Sequence, residues 1–76
     1  MKIEKFITDI AEALEIETTQ LAAETEYKEL ASWDSLAALS VIAMIDENYN
    51  VSIGGDDIEK SRTVQELWDL VSQRMA

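Results

Sequence analysis

Apolar residues return at three- and four-residue steps in three separate stretches of this chain, and that spacing constrains its fold more than any other feature. Ile3, Phe6, Ile7, Ile10 and Leu14 form one stripe, and Val64, Leu67, Trp68, Val71 and Met75 form another. Between them, Ala38, Val41, Ile42, Ile45 and Tyr49 share one side of a helix that begins at Ser35. Each stripe is the core-facing side of an amphipathic helix. No proline interrupts any of them, and 76 residues are enough for one domain, residues 1–76. The spacing predicts an all-α bundle of three main helices plus one short helix.

The connections are legible too. The first helix is expected to end near Ile16. From Glu17 to Trp33 the period is lost, yet Leu21, Tyr27, Leu30 and Trp33 recur, which predicts a long first loop pinned to the core at several points. Asp34 is placed to N-cap the second main helix. Tyr49, Val51 and Ile53 alternate with polar residues, but no partner strand is evident, so the segment reads as an extended connector. The only two glycines, Gly54-Gly55, predict a turn, with Asp56 capping a short helical turn through Lys60. Thr63-Val64-Gln65-Glu66 matches a capping box, in which hydroxyl and carboxylate satisfy free amides reciprocally.

Composition narrows the chemistry. The chain has no Cys and no His, so it lacks a thiol, an imidazole base and a metal ligand of either type. Catalysis would fall to carboxylates alone, and no converging pair is visible, so the chain does not read as an enzyme. Sixteen acidic residues against six basic ones give a net charge of -10. Phosphate backbones need clustered Lys and Arg, so nucleic acid is excluded as a partner, and basic protein surfaces fit better. The longest uncharged stretch, Ser35 to Ile45, is too short to span a membrane. Met1-Lys2-Ile3-Glu4-Lys5 lacks the apolar core of a signal peptide. The absence of Cys fits a reducing compartment. The expectation is a cytoplasmic monomer.

Asp34-Ser35-Leu36 is the one place where a nucleophile sits suggestively. With no base nearby, Ser35 reads as a hydroxyl that another enzyme modifies. It stands at a helix N-terminus, where free amides and the dipole favour a phosphate. Leu36, Ser40, Ala43 and Glu47 form a second stripe on the same helix, with Leu39 and Asp46 beside it, unusually apolar for a solvent face. Either the first loop covers it or it is a docking surface.

Taken together, these features resemble the acyl carrier protein family, of the stand-alone type, over nearly the whole chain. The resemblance rests on the amphipathic first helix, Tyr27-x-x-Leu30 ahead of Asp34-Ser35-Leu36, Asp46-Glu47 before Tyr49, the Tyr49-x-Val51-x-Ile53 connector, and Arg62-Thr63-Val64-Gln65 opening the last helix. It implies that Ser35 carries 4′-phosphopantetheine, attached from coenzyme A by a phosphopantetheinyl transferase. It also implies that the arm's thiol holds an acyl group as a thioester. Asp34 and Leu36 would frame the attachment site. Leu36, Ala37, Leu39, Ser40, Ala43, Asp46 and Glu47 would dock loading and processing enzymes through basic and apolar patches. Trp33 would be core or would flank the arm, and an apolar cargo would enter near Ile42, Ile45 and Trp68.

The chain departs from carriers of fatty-acid synthesis where it matters. Acidic residues expected early in the second main helix are Ala37 and Ser40 here, and Ser61 replaces an apolar residue. Trp33 resembles carriers of specialised pathways. The resemblance therefore implies fatty-acid, polyketide or other specialised biosynthesis, with a dedicated carrier preferred. A peptidyl or aminoacyl carrier, such as a D-alanyl carrier, is an alternative, and so is an unmodified acidic helical module. Asp46-x-Asn48-x-Asn50 opens like a calcium-binding loop, but Val51 stands where Gly is needed and Asp57 where Glu is expected. Loose divalent binding by Asp46, Glu47, Asp56, Asp57 and Glu59 remains an expectation of clustered carboxylates.

Overall fold

The computed structural model describes residues 3–75. Met1, Lys2 and Ala76 lie outside it, and with them the start of the segment read against a signal peptide. Helix α1 spans Ile3–Leu14, α2 Ser35–Tyr49, α3 Gly55–Lys60 and α4 Val64–Arg74, with no strand among the described residues. This is the all-α bundle of three main helices and one short one.

Helix α1 stops two residues earlier than the apolar pattern suggests. Glu15 turns into the left-handed region at φ 58. The Ile16 N–H then donates to the Ala11 carbonyl at 3.0 Å and the Glu15 N–H to the Glu12 carbonyl at 3.2 Å. These two bonds close a helix end in the six-to-one and five-to-two pattern that glycine usually serves. Ile16 folds back onto the core, which is why its spacing still looked helical.

The long first loop is pinned as expected. Leu21 and Tyr27 are buried, while Leu30 and Trp33 pack against the core. It also contains two 3-10 turns, Thr18–Gln20 and Tyr27–Glu29, that have no periodic signature at three residues each. The loop caps α4 as well. The N–H groups of Val64 and Gln65 donate to the carbonyls of Thr25 and Ala23 at 3.0 and 2.8 Å. The Thr63 hydroxyl accepts from the Glu66 N–H at 3.1 Å. The reciprocal half of the box is displaced by one residue, since Glu66 accepts from the Arg62 N–H at 2.8 Å. The first-turn amides of α4 are thereby satisfied, partly by a segment some forty positions away.

Asp34 caps α2, accepting the Ala37 N–H at 2.8 Å. Left-handed Asn50 (φ 56) closes the far end. Tyr49, Val51 and Ile53 are all buried while Asn50 and Ser52 are exposed, so the extended connector buries alternate side chains. Gly54 and Gly55 do not form a separate turn: Gly54 takes the N-cap position and α3 begins at Gly55. Asp56 is not the cap. Asp57 accepts the Gly54 N–H at 3.1 Å, and both its oxygens accept from the Arg74 guanidinium at 2.8 and 3.0 Å. Those bonds hold its carboxyl below the usual range, led by the bond from Arg74.

The core is centred on Phe6, Ile10, Val41, Ile45, Val64, Leu67 and Val71, all fully buried, with α1 packed against both α2 and α4. Phe6, Tyr49 and Trp68 form an aromatic triad with centroids 4.9 to 5.8 Å apart. The buried face of α2 is turned slightly from the expected one. Ala37 and Met44 are buried, whereas Ala38 and Ile42 are only half-buried. Leu36, Leu39 and Ala43 make this helix apolar on nearly every side, so periodicity alone could not centre its inward face.

Candidate functional site

Ser35 is the first residue of α2 and is exposed. The chain places it there because Asp34, in an extended conformation, uses its carboxylate to hold the first turn. Its side chain takes the Ala37 N–H and its carbonyl the Ala38 N–H at 3.0 Å. The amides of Ser35 and Leu36 are left at the positive end of the helix dipole.

A cavity of about 320 Å³ adjoins Ser35. The first loop contributes Lys28 and Trp33 to it, α2 and its cap contribute Asp34, Ser35 and Ala38, and α3 contributes Gly55, Ile58 and Glu59. Its loop wall is fixed from behind. The Tyr27 hydroxyl donates to the carbonyls of Ile58 at 3.2 Å and Ser61 at 2.9 Å, and its ring meets Trp33 edge-on at 5.2 Å. Burial, helped by the charge of Glu66, pushes the Tyr27 hydroxyl's pKa well above its ordinary value, so it stays a donor. Trp33 is half-buried and flanks Ser35 through this cavity. Lys28 and Ile58 were not singled out by sequence, and Gly55 and Glu59 were read only as part of a turn and of a carboxylate cluster, not as neighbours of Ser35. The only hint was Lys28, a cation inside Tyr27-x-x-Leu30.

The second stripe of α2 is open to solvent, and the first loop does not cover it. Leu36 is 73% exposed and Leu39 61%, and Ser40, Ala43, Asp46 and Glu47 are exposed beside them. Ala37 does not belong to that face. It is 8% exposed because it lies four residues before Val41 and seven before Met44, on the inward side. Ser40, Ala43, Met44 and Glu47 also form one wall of a second cavity, about 400 Å³, whose other wall is Asp9, Glu12 and Ala13 of α1.

Asp9 is a buried carboxylate that has no signature in the apolar spacing of α1. It accepts from the Tyr49 hydroxyl at 2.6 Å and from Lys5 Nζ at 2.8 Å. Burial works against its charged form, but the hydrogen bonds from Lys5 and Tyr49 and the Lys5 charge outweigh it, so its pKa lies below the ordinary carboxylate value. Burial first, then the bond and charge of Asp9, raise the Tyr49 hydroxyl correspondingly.

The anticipated divalent cluster does not assemble. Among the described residues no group of three or more carboxylates could hold a metal ion, and Asp57 is committed to Arg74. Asp46 and Asn48 lie inside α2, which rules out a calcium loop there. At the expected cargo entrance Ile42 is half-buried. Ile45 is fully buried and Trp68 is packed between Phe6 and Tyr49. Among the described residues, no helix is long and apolar enough to cross a membrane.

An exposed hydroxyl at a helix start, next to a cavity with one cation and an aromatic wall, suits a phosphodiester-linked arm. The family model described as a phosphopantetheine attachment site matches residues 4–71. The acyl carrier protein of Thermosynechococcus vestitus is 27% identical over 74 residues, covering 97% of this chain and 91% of the relative. That of Guillardia theta is 29% identical over 73 residues, covering 96% and 90%. That of Phytoplasma mali is 27% identical over 74 residues, covering 97% and 84%.

Proposed function

Because the chain belongs to the acyl carrier protein family, whose prosthetic group is covalent 4′-phosphopantetheine, we propose that Ser35 is the attachment residue and that the protein carries acyl groups between enzymes. The observation that carries this reading is the exposed Ser35 hydroxyl at the start of an Asp34-capped helix, inside the matched segment. When bound, the group supplies a terminal thiol on which an acyl unit is held as a thioester. The residues of the chain do the rest. Asp34 holds the first turn so that Ser35 faces the phosphopantetheinyl transferase, and Leu36 offers that enzyme an apolar contact. The domain carries and presents; it does not catalyse.

Leu36, Leu39, Ser40, Ala43, Asp46 and Glu47 form the docking face in this reading, without Ala37. Its two leucines lie nearest Ser35 and its acids about two to three helical turns further on. A matching partner presents an apolar pocket beside its active-site entrance and basic groups beyond it. Fewer charges near Ser35 mean less electrostatic steering and more apolar contact. That balance supports a dedicated carrier in a specialised pathway, and we read the protein as a cytoplasmic monomer.

The test is cargo. Modified protein incubated with acyl donors and their loading enzymes is expected to gain an adduct that hydroxylamine removes. An adduct only from aminoacyl donors would reassign the cargo class, and none from either donor would contradict carriage.

A further inference from the structure

Among the described residues, Lys28 is a cation that belongs to no ion pair. Among the described residues Lys5 pairs with Asp9 and Arg74 with Asp57, whereas Lys28 enters neither ion pair and donates to the main-chain carbonyl of Glu59 at 2.8 Å. A carbonyl satisfies one of the ammonium's three donors and none of its charge. Lys28 nonetheless lines the same cavity as Ser35, where the other ionisable groups are the carboxylates of Asp34 and Glu59.

That arrangement matters for what is added at Ser35. A phosphodiester there brings a third negative charge to a cavity that already carries two, and the like charges repel at short range. Lys28 is the cavity's single cation. Its position is held by its neighbour, since Tyr27 is tied through its hydroxyl to the carbonyls of Ile58 and Ser61. A flexible four-carbon stem lets the ammonium keep the Glu59 carbonyl and turn its free donors towards the cavity.

We propose that Lys28 binds the phosphodiester of the arm on Ser35 and acts as its counter-ion, so that the first loop as well as α2 holds the base of the arm. This rests on the assignment of Ser35 as the attachment residue.

The experiment uses the protein modified from coenzyme A, with intact mass recorded first and then the phosphorus NMR resonance of the phosphodiester. Lys28→Gln keeps a donor for the Glu59 carbonyl but removes the charge, Lys28→Arg keeps the charge, and Lys60→Gln removes a cation outside the cavity. The resonance is expected to be displaced in Lys28→Gln, to stay near wild type in Lys28→Arg, and to be unmoved in Lys60→Gln. The displacement should shrink at high salt, where the pair is screened. An identical resonance in wild type and Lys28→Gln, or equal displacement by Lys60→Gln, would overturn the proposal while leaving the carrier reading intact. No mass gain on wild type would overturn both. The nitrogen resonance of Lys28 Nζ in the unsubstituted protein gives a second check that needs no variant. It is expected to move on modification, and constancy would count against the contact.

Discussion

Replacing Trp68 with Ala is expected to lower the free energy of unfolding by about 3–5 kcal/mol. A chain of 76 residues has only about 4–11 kcal/mol in total, so the variant should be largely unfolded in mild urea. The size of the effect follows from position. Trp68 is 7% exposed and lies against Phe6 at 4.9 Å and Tyr49 at 5.8 Å between centroids. Phe6 sits on α1, Tyr49 ends α2 and Trp68 belongs to α4, so the triad joins all three main helices. Truncation removes the transfer term and leaves a void that neighbours from three elements cannot close together. Urea denaturation of wild type and variant measures the difference, and a midpoint within error of wild type would show that the triad is not the centre of the core.

Asp9→Ala is expected to cost about 1.5–3 kcal/mol at neutral pH, the scale of a charge-assisted hydrogen bond to a buried partner. The Tyr49 hydroxyl would lose its acceptor inside the core, whereas Lys5, 60% exposed at its side chain, would return to water. The effect has a pH signature. The folded-state pKa of Asp9 lies below its ordinary value of 3.8. Its stabilising contribution is therefore complete above 3.8 and is lost as pH falls through the lower folded value. Wild type and variant should converge as acid is added below 3.8. Asp57 weakens over the same range in both proteins, so it cancels in the comparison. A gap between the two denaturation curves that is independent of pH would mean that Asp9 acts through packing and not through its charge.

The helical stripes, the Asp34 cap, the Thr63 hydroxyl cap and the alternating connector were legible because each is a local pattern, set by residues within a few positions of one another. What escaped was set by distance along the chain. The Asp9–Tyr49 bond links residues 40 positions apart, and Tyr27 reaches carbonyls 31 and 34 positions away. No periodicity encodes such pairs. Glu15 ends α1 in a conformation that glycine or asparagine normally marks, so the usual stop signal was missing. At the site, Ser35 and its exposed α2 stripe could be found from order in sequence. Lys28 and Glu59 could not, since the cavity beside Ser35 forms only when the first loop folds across to α3. Ala37 was misplaced for a simpler reason. On a helix apolar almost all round, an alanine fits the buried and the exposed side equally well.

The most direct test of the account is the intact mass of wild type and Ser35→Ala after incubation with coenzyme A and a broad-specificity phosphopantetheinyl transferase. The starting material must be verified as folded and unmodified. The account predicts that wild type gains the mass of one phosphopantetheine and that Ser35→Ala gains none. No gain on wild type, or an equal gain on both proteins, would contradict it.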